Sequence, residues 1–147
     1  MKWWINTAVI KMAEFTLKIV TPDGLRYDGA AEKLVVRTTA GDVAILPGHI
    51  NYVAPLGMGE ATVTVAGVKR HGACIGGMVS VVDGKVTLVP SSFEWAEDID
   101  TDRAHRSEQR AKAAMESADT SDTDLKLASA RLKRALIRQH VAAHRPK

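Results

Sequence analysis

The sequence predicts an α+β protein: an N-terminal antiparallel β-sandwich or flattened barrel followed by a C-terminal antiparallel hairpin of two helices. Three observations carry this. Between Phe15 and Pro90 apolar residues recur at every second position, as in Phe15/Leu17/Ile19, Val63/Val65, Val79/Val81 and Val86/Leu88, a period that lines one face of a strand. From Thr101 to Arg145 there is neither Gly nor Pro, and Ala is abundant, so the intrinsic preference turns helical. The cluster Asp119-Thr120-Ser121-Asp122-Thr123-Asp124 breaks that stretch in two and supplies N-cap oxygens for a second helix.

The parts follow in order. Residues 1–12 form an N-terminal extension; "MKWWINTAVIK" has one early Lys, its apolar residues are interrupted by Asn6 and Thr7, and no small-residue cleavage site follows. It reads as neither a signal peptide nor a membrane span. Residues 13–97 form the sandwich, punctuated by turn signals at Pro22-Asp23-Gly24, Ala40-Gly41-Asp42, Pro47-Gly48 and Asp83-Gly84. Gly57-Met58-Gly59 lacks the third Gly and the Lys-Ser/Thr of a phosphate loop and reads as a turn between strands. Residues 98–147 form the hairpin. Its second helix offers Leu125, Ala128, Leu132, Ala135, Leu136 and Gln139 at three-four spacing, its first Ala104, Ala111, Met115 and Ala118. Such small apolar faces bury little, so the hairpin is expected to be marginal once detached from the sandwich.

A chain of 147 residues holds one core and an appendage, not two full domains. The single cysteine, Cys74, excludes an internal disulfide and reads as a buried, inert thiol. The net charge of +3 is unevenly placed: residues 1–97 carry nine bases and nine acids, residues 98–147 eleven bases and eight acids. No acid follows Asp124, while Lys126, Arg131, Lys133, Arg134, Arg138, Arg145 and Lys147 do, a basic run that suits an anionic partner or a solvated helix face. No Ser/His/Asp or Cys/His arrangement can be argued, so the chain does not read as an enzyme acting alone. Of the five histidines, only His140 and His144 have metal-like spacing, without an intervening Glu and near a chain end; no metal site is expected.

Where the texture changes, "AEDIDTDRA" at Ala96–Ala104 puts Asp98, Asp100 and Asp102 at or just before a helix start, where carboxylates cap and complement the dipole. Arg103 and Arg110, seven apart, share a face of the first helix; Arg134 and Arg138, four apart, share a face of the second. If these faces close together, four guanidiniums converge, and a polyphosphate would relieve their repulsion.

"TPDG" at Thr21–Gly24, "GDVAILPGHI" at Gly41–Ile50, "GG" at Gly76-Gly77 and "AEDIDTDRA" occur in an order and spacing that resembles the ε subunit of bacterial F-type ATP synthases, over roughly residues 13–140. The resemblance implies a non-catalytic rotor subunit of a proton-transporting synthase, at the cytoplasmic face of the bacterial plasma membrane and touching the membrane only through the complex. The sandwich would grip γ and rest on the c-ring, with Asp42 and His49 at the c-ring edge. The hairpin would lie folded on the sandwich or extend into the αβ head to block ATP hydrolysis, its basic helix (Lys126, Arg131, Lys133, Arg134, Arg138) meeting acidic segments of β.

Some family members bind ATP through Ile/Leu-Asp-x-x-Arg-Ala, matched here by Ile99-Asp100-Thr101-Asp102-Arg103-Ala104. By carry-over, Ile99 and Ala104 would pack on adenine, Asp100 would accept from its amine and Arg103 would lie near the base. Arg110, Arg134 and Arg138 would meet the phosphates, and Glu94 also matches a position implicated in the site. No cofactor is required; ATP would be a regulatory ligand that holds the hairpin folded. The rival is a free-standing regulatory binder of nucleotide or nucleic acid using the basic helix. That helix has no aromatic residue to stack a base, so a nucleic-acid partner is not expected.

Overall fold

The computed structural model describes residues 13–117 and 121–147; the N-terminal extension, together with Ala118, Asp119 and Thr120, lies outside the described residues. Ten strands build two five-stranded sheets: β1 (Phe15–Thr21), β2 (Gly24–Ala31), β3 (Lys33–Thr38), β4 (Gly41–Ile45), β5 (Tyr52–Pro55), β6 (Met58–Val65), β7 (Val68–Ile75), β8 (Met78–Val82), β9 (Lys85–Val89) and β10 (Ser92–Trp95). One sheet runs β2-β1-β9-β8-β5, the other β10-β7-β6-β3-β4. The strand pairs are antiparallel except β1 with β9, where Leu17 lies beside Val86 in parallel register. A turn of 3₁₀ helix, Ala96–Asp98, then forms an elbow leading into α1 (Thr101–Met115) and α2 (Asp122–Ala142).

The period of two translates directly into the core. Leu17, Ile19, Leu34, Val36, Val63, Val79, Val81, Val86, Leu88 and Phe93 are buried between the sheets, while the residues alternating with them along the strands face outward. Each such aliphatic contributes about 1.5–3 kcal/mol by leaving water. Cys74 belongs to the same core, and burial pushes its thiol up to about 12, so it is inert as expected. Trp95 ties the sheets at one edge. Its ring packs edge-on to Phe93 at 4.8 Å, its indole N–H donates across to the Arg26 carbonyl at 3.2 Å, and the Arg70 guanidinium lies 3.8 Å over its face.

Asp83-Gly84 turns β8 into β9 with φ of 48° and 78°, the two left-handed positions a tight hairpin requires. A second such turn, Ala66-Gly67, joins β6 to β7 and carried no clear signal in the sequence. Gly57-Met58-Gly59 is not a turn. Met58 and Gly59 begin β6, and a side chain at Gly59 would come within 2.7 Å of Arg37 Cβ; glycine makes room for Arg37 to lie across the strand.

The helices pack antiparallel on each other, and α2 lies on the outer face of the second sheet against β6 and β7. Ser121 caps α2, accepting from Asp124 N–H at 3.2 Å. Ala128 and Ala135 are buried as the spacing implied, whereas Leu125, Leu136 and Met115 stay substantially exposed. The inward row of α1 is Ala104, Glu108 and Ala111, with a carboxylate in the middle.

Gly77 sits at φ 94°, and a Cβ built there overlaps the Val89 carbonyl and lies 2.6 Å from Pro90 Cα. Gly77→Ala therefore combines left-handed strain with a clash against backbone. It is expected to cost roughly 3 kcal/mol or more of folding stability. Urea denaturation measures this, and an unchanged midpoint contradicts it.

Candidate functional site

The elbow sets the site. Asp100 is the N-cap of α1: its extended backbone (φ −78°, ψ 101°) turns the carboxylate back so that Oδ1 accepts from Arg103 N–H at 3.0 Å. The side chain of Ile99 is 2% exposed and packs with Ala73, Ala96, Val141 and Ala142, beside Ile137. It holds the elbow against the end of α2 and is not among the residues that line the neighbouring cavity. Beyond α2, Arg145 reaches back: Nε donates to the Ala96 carbonyl at 3.0 Å and Nη2 donates to the Ile99 carbonyl. The basic tail thus adds to the Ile99 N–H that already bonds the Ala96 carbonyl, and supplies a donor to the Ile99 carbonyl.

Above the elbow lies a cavity of about 160 Å³ lined by Glu94, Asp98, Asp100, Arg103, Ala104, Ser107 and Arg138. Five of the eight residues expected to bind ATP therefore meet here. Arg138 does not join Arg134 in a cationic cluster; its Nε donates to Glu94 Oε2 at 2.5 Å, a partner 44 positions away that neutralises it. Arg110 and Arg134 line a second cavity, about 320 Å³ between α1 and α2, together with Ser107, Ala111, Ala114, Ala128 and Arg131. Four guanidiniums do not converge at one point, because the helix faces meet at an offset. They divide into two pairs bridged by Ser107, with Arg131 added to the outer one.

The division gives the cleft opposite electrostatic ends. Three carboxylates and two arginines surround the elbow cavity, whereas the cavity between the helices has three guanidiniums and no acid in its lining. Among the described residues no ion pair engages Arg103, Arg110, Arg131 or Arg134. Carboxylates accept from N–H groups and guanidiniums donate to anionic oxygens, so the cleft is graded from an acidic end to a cationic one.

The remaining expected residues lie elsewhere. Asp42 is on edge strand β4, directly opposite Arg37, whose Nε donates to Oδ1 at 2.5 Å and holds the carboxyl below its usual range. His49 follows in the β4–β5 loop, where Nδ1 lies 2.8 Å from the Ile50 carbonyl and the ring meets Tyr52 edge-on at 5.7 Å. Around it Leu46, Ile50 and Val53 are exposed, Ile50 by 77%. Lys126, Arg131 and Lys133 are exposed on α2.

Profiles of one family match both parts of the chain. Residues 14–96 match the "ATP synthase, Delta/Epsilon chain, beta-sandwich domain", and residues 97–143 match the "ATP synthase, Delta/Epsilon chain, long alpha-helix domain". The chain belongs to the ATP synthase delta/epsilon family. A Ruminococcus albus protein described as "ATP synthase epsilon chain" is 42% identical over 132 residues, spanning 89% of this chain and 98% of that one. An epsilon chain is a component of the synthase rather than a catalyst by itself. Two solved structures share the fold. A chain of the Euglena gracilis mitochondrial ATP synthase matches with a TM-score of 0.76 at 23% identity, covering 90% of this chain and 82% of that one. One from the Tetrahymena thermophila mitochondrial ATP synthase central stalk and c-ring matches at 0.60 and 16% identity, covering 90% and 98%. Among the described residues no helix is long and apolar enough to cross a membrane.

Several site-building residues of this delta/epsilon chain escaped the sequence reading. Glu94 was expected near a ligand but not as the partner of Arg138, Arg145 was read only as part of the basic run, and Ser107 carried no signal. Glu108, buried on the inner face of α1, accepts from Lys112 Nζ and Gln139 Nε2, each at 2.7 Å. Its signal was Gln139, a polar residue on an otherwise apolar stripe. These donors hold the Glu108 carboxyl below its ordinary value of 4.5. A carboxyl lowered on folding stabilises above its unfolded value and loses that contribution as pH falls through the lowered one. The melting temperature of the helical signal is expected to drop further between neutral pH and a pH below 4.5 in the native chain than in Glu108→Gln. Equal drops by circular dichroism would place the acid sensitivity elsewhere.

Proposed function

We propose that the chain works as a central-stalk rotor subunit of a proton-transporting ATP synthase, at the cytoplasmic face of a bacterial plasma membrane. It links γ to the c-ring, and its hairpin restrains ATP hydrolysis when it leaves the sandwich. Membership of the delta/epsilon family supports the assembly, as do the ATP synthase central-stalk and c-ring particles that hold chains of the same fold. Membrane contact then comes only through the complex.

Two surfaces fit such neighbours. On the outer face of the first sheet, Val53, Met78, Val82 and Val89 are each more than 40% exposed on adjoining strands, an apolar strip suited to γ. The β4–β5 loop, with His49 among Leu46 and Ile50, is suited to the c-ring; Asp42 would contribute through the acidic half of its pair with Arg37.

The observation that carries the regulatory reading is the slightness of the hairpin's attachment. Its apolar contact is the cluster of Ala73, Ala96, Ile99, Val141 and Ala142 with Ile137, and the rest is a few polar contacts: Arg138 to Glu94, Arg145 to two carbonyls, and His140 and His144 to Glu60. Such an element lies at the low-stability end of the fold and can exchange. ATP in the graded cleft would bridge α1 and α2 and favour the docked form, with its base toward Asp100 and Arg103 and its phosphates toward Arg110, Arg131 and Arg134. The elbow cavity alone is too small for a whole nucleotide, so the ligand would span both cavities.

Calorimetric titration of the full chain with ATP is expected to give one site, weakened about 10-fold or more in Arg103→Ala and Arg134→Ala, as the loss of a charge-assisted contact requires. No heat at millimolar nucleotide contradicts the sensor. Separately, removing residues 101–147 is expected to raise ATP hydrolysis by the assembled synthase at low ATP while leaving its assembly intact. Unchanged hydrolysis would deny the hairpin an inhibitory role.

A further inference from the structure

Away from the nucleotide cleft, four side chains meet beneath the last turns of α2. Glu60 on β6 and His71 on β7 lie diagonally across an antiparallel pair, Thr62 being opposite His71, so both face the helix. From above, His140 descends from the last turn of α2 and His144 from the turn just past its end. The Glu60 carboxylate is their common centre. His71 Nδ1 contacts Oε1, His144 Nδ1 is 3.6 Å from the same oxygen, and His140 Nε2 is 3.1 Å from Oε2. The imidazoles also touch each other: His71 stacks on His144 at 4.5 Å, and His140 meets His144 edge-on at 5.0 Å.

Crowding three imidazoles around one carboxylate has no packing logic, since two apolar residues would fill the space at lower desolvation cost. It does have a coordination logic. One donor atom each from Glu60, His71 and His144 lies within 4.8 Å of the others, and His140 Nε2 lies beside the other carboxylate oxygen, Oε2. Nitrogen and carboxylate donors of this kind suit zinc, whose bonds of about 2.0–2.2 Å place tetrahedral donors roughly 3.4 Å apart. Side-chain rotation closes that difference, because His140 and His144 are partly exposed and sit near the end of the helix. The same exposure leaves the ion a path in from solvent.

We infer that Glu60, His71 and His144, with His140 as fourth donor, form a zinc-class divalent-cation site that clips the hairpin to the sandwich. Two donors belong to each part, so the ion bridges an attachment otherwise made of five buried small or aliphatic residues and a few polar contacts. Binding only the docked form, it shifts the hairpin toward docking in proportion to occupancy. The site is separate from the nucleotide cleft and stands whether or not that cleft binds ATP.

The test uses the full chain without an affinity tag, stripped of metal and titrated with zinc chloride by calorimetry. One ion per chain is expected, with low-micromolar or tighter affinity, weakened at least about 10-fold in His71→Asn and in the double variant H140N/H144N. The double variant changes only partly exposed positions, so it reports even if His71→Asn does not fold. Trypsin cleavage after Arg134 and Arg138 is expected to slow several-fold with zinc in the native chain and not in the double variant. No binding at roughly 100 µM zinc, equal affinity in both variants, or binding that leaves cleavage unchanged would each overturn the clip.

Discussion

The contact between the elbow and the end of α2 decides how the hairpin sits on the sandwich. Ile99 and Ala96 meet Val141 and Ala142, and Arg145 closes over the elbow carbonyls. That junction fixes the direction in which α1 leaves the sandwich, and with it the position of Asp100 and Arg103 relative to Glu94. It also seats the last turns of α2 so that Arg138 reaches Glu94 and His140 and His144 reach Glu60. Without it, the elbow cavity and the histidine cluster would come apart, since each draws side chains from both sides of the same seam.

The two parts differ in how they are held. The sandwich closes on aliphatic side chains from both sheets, pinned at one edge by Trp95. Its stability is non-directional burial, which tolerates small displacements poorly and gives a single arrangement. The hairpin's inner rows are largely alanine, with Glu108 bonded across to Gln139 at the middle. Alanine lets the helices approach closely but buries little area, so specificity rests on directional polar contacts. A fold built this way keeps its platform rigid while leaving its appendage near balance.

What could be read from the sequence follows the same division. Strand alternation, the Asp83-Gly84 turn, the helical tract and the capping role of Asp100 are local, and each was legible because the physics acts within a few residues. The parallel β1–β9 pairing was not, because Thr16 and Lys85 carry no mark of one another. Gly57 and Gly59 resembled a turn because the sequence does not reveal that Arg37 needs their space. Glu94, Asp100, Arg103, Ala104 and Arg138 were expected together and do line one cavity. The pairing of Arg138 with Glu94 was invisible for the reason that hid Glu60 beneath His140 and His144: partners 44 and 80 positions away are joined only by the fold. Ile99 sits in the same motif, and its packing against Val141 comes from the fold. His140 and His144 alone gave no reason to expect a metal site, because Glu60 and His71, which the fold sets beside them, lie on two strands far away in sequence.

The basic run at the C-terminus acquires a sharper meaning from these contacts. Docked, it is not an idle solvated face: Arg138 is paired, Arg145 caps the elbow, and His140 and His144 surround Glu60. Lifting the helix away breaks all of these together, leaving Glu94 without Arg138 and Glu60 with His71 alone, which resists undocking. It also presents an α2 with no acid after Asp124, whose cations are all available at once. An acidic partner would therefore compete for the same charges that hold the hairpin down, and the exchange would be close to neutral in number of ion pairs. Under the proposed function, the balance is then decided by whatever binds one form alone. A nucleotide bridging Arg103 to Arg134, or an ion joining His71 to His144, each acts on the docked side, through separate sites on one seam.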